Sequence, residues 1–345
     1  MFAAVSLGGC AGIDYLRQSI GGEYDLLQNA RPIDSLLADA QTAPELRARL
    51  AQALAIRDFA SRELSLPENG SYRRYADVGR RFVVWNVFVA PELSNQLLTW
   101  CFPVAGCVAY RGYFREADAE NFAAAQRKLG FDVFVGGVPA YSTLGYFDDP
   151  VLSTFIQYPD TEIARLLFHE LGHQVAYAAD DSVFNESFAV AVEREGMRRY
   201  LKDALPARKA AFDQASAHRE DFTALVSDAR RRLEKAYASA GDDTARRRAK
   251  SRIVSELRQA YAELKAGKWE GYAGYDNWFA EDINNAKLGS VAVYTARVPA
   301  FEALLRSHSG DLAAFYAEVR RLAKMPKAER DEILDSLSST QAATE

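Results

Sequence analysis

The sequence predicts an α+β fold in which a small mixed sheet packs on one helix and a mostly helical C-terminal part follows. Three observations carry this expectation. Four short runs dense in β-branched and aromatic residues fall between positions 82 and 158, which is the composition of strands. A helical pattern carrying the run His-Glu-Leu-Gly-His follows directly, from about Asp160 or Thr161. From about Asn185 onward, apolar residues return every three to four positions with few interruptions, the period of helices that bury one face.

At the N-terminus, Leu7-Gly8-Gly9-Cys10-Ala11-Gly12 resembles a bacterial lipoprotein cleavage box, in which the cysteine is acylated. Residues 1–10 therefore read as a residual lipoprotein signal. That reading implies a membrane-attached protein of the bacterial cell envelope, facing the periplasm. An N-terminal helical segment, 11–70, shows helical spacing over Ile13–Asn29 and Pro44–Leu64, with Thr42 and Pro44 marking a helix start. Pro67, Asn69 and Gly70 end it. A core segment, 71–200, offers Phe82–Ala90, Cys107–Phe114, Phe131–Val138 and Ser153–Tyr158 as strands. An amphipathic helix, Glu116–Leu129, lies between the second and third strands and ends at Gly130. The helical C-terminal region spans 201–337, interrupted by a glycine- and aromatic-rich loop at Gly267–Tyr275. A polar tail, 338–345, is expected to be disordered.

Bulk properties exclude some functions. The net charge is −5, so nucleic-acid binding, which needs clustered excess base, is not expected. The basic stretch Ala229–Lys250 reads as a solvated helical face. No run of eighteen apolar residues predicts a spanning helix. Cys101 and Cys107 fit either a disulfide formed in an oxidising compartment or two buried thiols.

Chemistry concentrates at Phe168-His169-Glu170-Leu171-Gly172-His173. Residues four apart on a helix share a face, so His169 and His173 can present two imidazoles to one metal ion. Zinc with such ligands lowers the pKa of a water, and a carboxylate beside it, here Glu170, can take the proton as that water attacks a carbonyl. A peptidase site needs a third protein ligand and one open position. Beyond His173 the chain reads Asn185-Glu186-Ser187-Phe188-Ala189.

HExxH followed by an NExxA helix resembles the gluzincin metallopeptidases, the thermolysin-like and aminopeptidase clan. The resemblance implies Glu186 as third zinc ligand, across a linker shorter than is usual in that clan. Further segments are similar to a family of predicted bacterial lipoprotein aminopeptidases. They include Arg57–Leu64, Trp85–Ser94, Trp100–Phe114, Val138–Pro150, Asp180–Ala189 and Asn284–Phe301. What this implies is a zincin-like catalytic core at 71–200 and a zinc-dependent, membrane-anchored aminopeptidase acting on short peptides.

Other residues are candidates with bland alternatives. Ala140, Tyr141 and Ser142 lie in a segment, 139–145, suited to line the cleft and pair with an extended peptide, or to be a structural loop. Tyr294 is a candidate oxyanion donor, with Tyr110, Tyr113 and Tyr141 as rivals and simple packing as the alternative. Glu193, two turns beyond Glu186, is placed to support a ligand. Asp180 and Asp181 are candidates for the same role or for turn residues. Asn284 and Asn285 read as caps. Asp148 and Asp149 are either an amine-binding acid or turn residues. His218 and His308 read as surface histidines. The rival to an enzyme is a non-enzymatic envelope lipoprotein whose zinc site is structural or vestigial; a third reading keeps the metal for another hydrolysis.

Overall fold

The computed structural model describes residues 10–102, 106–239 and 241–342, and their arrangement is α+β with a large helical share. Helix α1 (Cys10–Asn29) leads through β1 (Arg31–Pro32) and α2 (Ile33–Ala38) to the long α3 (Pro44–Leu64) and to β2 (Arg74–Ala76). The central strand β3 (Val84–Pro91) is followed by a hairpin of β4 (Trp100–Phe102) and β5 (Gly106–Val108), then β6 (Arg111–Tyr113), α4 (Glu116–Lys128), β7 (Phe131–Val138) and β8 (Val151–Leu152). Helices α5 (Asp160–His173) and α6 (Ser182–Tyr200) come next, then α7 (Pro206–Ala238) and α8 (Asp243–Ala266). The chain closes with α9 (Asp276–Ala280), α10 (Asn285–Thr295), α11 (Val298–Ser307), α12 (Leu312–Ala323) and α13 (Lys327–Ala342).

Strand β3 explains the main sheet. It pairs antiparallel with β7 from Val84 opposite Val138 to Pro91 opposite Phe131, and with β6 on its other edge. Side chains alternate across a strand. Trp85, Val87 and Val89 pack with Ala119 and Ala123 of α4, while Phe88 and Ala90 pack with Ala286 of α10. Both faces are covered, which is why this stretch is apolar apart from Asn86 rather than alternating. The mixed sheet is a separate one: β2 pairs antiparallel with β1 and parallel with β8.

The expected fourth strand, Ser153–Tyr158, is a turn. The amides of Phe155 and Ile156 donate to the Leu152 carbonyl at 3.2 and 3.1 Å, and both side chains are buried. Burial, not pairing, accounts for its composition. The helical stretch from 185 to 265 is three helices. α7 starts at Pro206, a favoured first-turn position, and Asp242 caps α8 by accepting from the Ala245 amide. Together α7 and α8 carry a second core, in which Phe222, Val226 and Leu233 meet Ile253, Leu257 and Tyr261. Helix α13 runs to Ala342, into the segment expected as a disordered tail; residues 343–345 lie outside the described part.

Helix α6 begins at Ser182 rather than near Asn185, because the Asp181 side chain caps it by accepting from the Phe184 amide at 3.1 Å. The same carboxylate holds α13 in place. Arg330 Nη2 donates to Asp181 Oδ2 at 2.7 Å, with both side chains under 5 % exposed, and Lys327 Nζ stands 3.0 Å away. Burial alone would raise the Asp181 pKa, but its hydrogen bonds with Arg330 and Lys327 hold it below the ordinary value. A carboxyl depressed on folding contributes stability that is complete above the unfolded pKa of about 3.9 and is lost as pH falls through the folded value. Asp181→Asn leaves the buried guanidinium without its counter-ion and should cost about 3–5 kcal/mol in urea unfolding at neutral pH. The deficit should shrink as the wild type is acidified; an equal deficit at every pH would contradict this account.

Candidate metal centre

Helix α5 buries Ile163, Leu167, Phe168 and Leu171 in the main core, which it shares with residues of α3 and α6. Its contact with α6 is close. A Cβ at Gly196 of α6 would lie 2.6 Å from Phe168 Cδ2, so this crossing needs a glycine there. The turn between the two helices is clamped by Asn185, whose side chain accepts from the Ala178 amide at 2.7 Å and donates to the Ala178 carbonyl at 2.8 Å. That clamp sets Glu186 across from the histidines.

Glu186 Oε2 lies 3.3 Å from His169 Nε2 and 3.5 Å from His173 Nε2. One ligand atom from each of the three residues falls within 4.8 Å of the other two. The imidazole rings stand edge to face, 5.0 Å apart and 84° inclined. Two imidazole nitrogens and a carboxylate oxygen converging at a buried point are a donor set that could hold a metal ion. Burial alone would raise the Glu186 pKa; the charge of His173 and the hydrogen bonds of both imidazoles instead hold it down, to about 2. Glu170, beside them, has its carboxyl pushed up by burial, against the opposing pull of His169 and His173.

Behind His169 runs a chain of alternating charge. Glu193 Oε2 stands 3.3 Å from His169 Nδ1, leaving Nε2 free to face Glu186. Glu193 Oε1 accepts from Arg165 at 3.0 Å; Arg165 donates to Glu162 at 2.9 Å; Glu162 accepts from Arg219 of α7 at 3.0 Å. Burial opposes the charge on Glu193, but Arg165 and then His169 hold its pKa to about 2. Arg165 is one helical turn before His169, a spacing that marks it in the sequence. His173 Nδ1 is buried with no hydrogen-bond partner among the described residues.

The cluster opens into a cleft of about 1190 Å³ that His169, Glu170, Glu186 and Tyr294 all line. Tyr294 lies over His169, ring centroids 6.2 Å apart. Its hydroxyl is kept neutral, first by burial and then by the Glu186 charge. Tyr110 is also in the cleft and also neighbours Glu186. Ala140, Tyr141 and Ser142 line the cleft, in an irregular segment and not a strand. Asp149 fixes that segment by accepting from the Thr143 amide and hydroxyl at 3.1 and 2.7 Å, so its role is a turn role; burial raises its pKa to about 7. Asn284 caps α10 and bonds the Val133 carbonyl; Asn285 bonds the carbonyls of Pro91 and Glu92.

Cys101 and Cys107 are joined in a disulfide across the β4–β5 hairpin. The Cys107 amide donates to Asp180 Oδ1 at 2.6 Å, which ties the hairpin to the α5–α6 turn. Residues 7–9 of the lipoprotein-like box lie outside the described part, and so does the Cys10 side chain. His218 is not a surface residue: it is buried, stacked on Tyr272 at 4.1 Å, because the aromatic loop after α8 folds back over α7. Glu23 of α1 lines the cleft as well; no motif in the sequence marks it.

The fold and site define an α+β protein with a buried His-His-Glu cluster, able to hold a metal ion, at the wall of a large cleft. The chain belongs to the family described as "Putative aminopeptidase", whose model matches residues 14–334, and that membership points to peptidase activity. No curated protein and no solved structure matches it.

Because Glu193 fixes the orientation of His169, Glu193→Gln should weaken the cluster's affinity for a divalent metal, probed with zinc, about 10–100-fold, the usual effect of losing such a partner. Competition against a chelator measures this, with circular dichroism as the folding control. Unchanged affinity would remove Glu193 from the site.

Proposed function

We propose that the protein is a zinc-dependent metallopeptidase of the HExxH–NExxA, gluzincin-like kind, removing residues from the free N-termini of short peptides. The observation that carries this is the convergence of His169, His173 and Glu186 with Glu170 beside them in a cleft of peptide size. Family membership supports the peptide substrate. A structural zinc site closes its fourth position with another protein ligand, and among the described residues the cluster offers three.

Zinc, when bound, would supply the Lewis acidity that polarises the scissile carbonyl and makes a water acidic at neutral pH. Glu170 takes the proton of the attacking water and returns it to the leaving amine, a task suited to a carboxyl raised by burial. Tyr294 donates its hydroxyl proton in a hydrogen bond to the oxyanion that develops on the carbonyl oxygen. The segment from Ala140 to Ser142 holds the peptide backbone along the cleft.

Glu170→Gln should retain one zinc per chain by elemental analysis while kcat/KM on a peptide library falls about 10²–10⁴-fold. Tyr294→Phe should lower kcat about 10²–10³-fold with little change in KM. Zinc-loaded wild type that cleaves nothing, or full activity in Glu170→Gln, would end this reading.

We also propose that Cys10 carries a lipid and that the protein works at the cell envelope, facing the periplasm. The Cys101–Cys107 disulfide supports an oxidising compartment. Fractionation of expressing cells should find the protein with membranes and Cys10→Ala in the soluble fraction; equal partition would refute the anchor.

A further inference from the structure

The strongest unexplained group in the cleft is Glu23. Its Oε2 accepts a hydrogen bond from the Tyr141 hydroxyl, while its Oε1 is buried with no partner among the described residues. No Lys or Arg among the described residues forms an ion pair with it. Burial pushes the Glu23 pKa up, against the Tyr141 hydrogen bond. A carboxylate left with one oxygen dehydrated and unpaired gains most from a cationic donor.

The surroundings hold this carboxylate in place. Gln18, five residues earlier on α1, donates to the Gly112 carbonyl at 3.3 Å and accepts from the Phe114 amide at 3.1 Å, which docks α1 on β6. A Cβ at Gly22 would lie 2.2 Å from Phe114 Cγ, so only glycine permits this approach. The Phe114 ring in turn meets Tyr141 edge-on at 5.8 Å. Glu23 is therefore fixed, through Tyr141, to the middle of the segment that lines the cleft.

We propose that Glu23 Oε1 receives the α-ammonium group of a bound peptide and so makes the cleft selective for free N-termini. This rests on the peptidase reading above. In the proposed pose, a peptide laid along Ala140–Ser142 has its terminus at Glu23, the residue hydrogen-bonded to Tyr141. The terminal ammonium supplies the missing donor, and an acetylated terminus cannot.

The test uses calorimetric binding of alanyl and lysyl peptides to the zinc-loaded Glu170→Gln protein, alongside kcat/KM in the protein with Glu170 intact. Peptides carry a free or an acetylated N-terminus. Glu23→Gln should cut binding and kcat/KM for the free terminus about 10–100-fold, the scale of a charge-assisted hydrogen bond. It should leave the acetylated peptide unchanged. Equal discrimination with and without Glu23 overturns the inference. So does a Glu23 dependence seen only for acetylated peptides beginning with lysine, which would assign the carboxylate to a side-chain ammonium. If the chain with Glu23 intact neither binds nor cleaves any peptide, the peptidase reading itself fails and takes this inference with it.

Discussion

A buried carboxylate held between two imidazoles at the α5–α6 crossing is the constraint around which the cleft wall is arranged. Glu186 lies 3.3 and 3.5 Å from the two histidine nitrogens, and a buried carboxylate keeps its charge only where such partners stand close. The pairing needs helices that pack tightly, so a glycine faces Phe168. It also needs a turn that cannot slip, so Asn185 bonds the backbone on both sides of Ala178. Asp181 then starts α6 and holds Arg330 of α13. Each of these features fixes the same registry between two helices.

The charge behind the site is balanced over distance. Arg219, Glu162, Arg165 and Glu193 alternate in sign from α7 to His169. A single buried ion would be costly there. The alternation also couples the α7–α8 hairpin to the orientation of one ring nitrogen, which local packing alone would not do.

Much of this was legible in the sequence. The spacing of His169 and His173 places them on one helical face, and the seven-residue step from Glu186 to Glu193 places those two on another. Both placements are properties of 3.6 residues per turn. Strand β3 was legible from its β-branched and aromatic run, though its burial on both faces was not. Ser153–Tyr158 misled because residues buried in a turn and residues buried in a strand have the same composition. His218 misled because its polar neighbours in sequence are not its neighbours in space; the stacking rings come from the loop after α8. Glu23 gave no signal, since tertiary contacts, those of Tyr15, Gln18 and Gly22 among them, bring α1 to the cleft.

Helix α10 has two employers. Its first turn is tethered to the sheet, with Ala286 against Phe88 and Ala90 and Asn285 bonded to the carbonyl of Pro91. Its last turn carries Tyr294 over His169. The arm between Ala286 and Tyr294 is about 12 Å at the helical rise, so a tilt of about 5° at the sheet end swings the tyrosine by about 1 Å. Displacements of that size matter to groups that act catalytically, the role proposed for Tyr294. The far end of β3 thus acts as the fulcrum of a lever, and the shape of residues that do not line the cleft sets the aim of one that does.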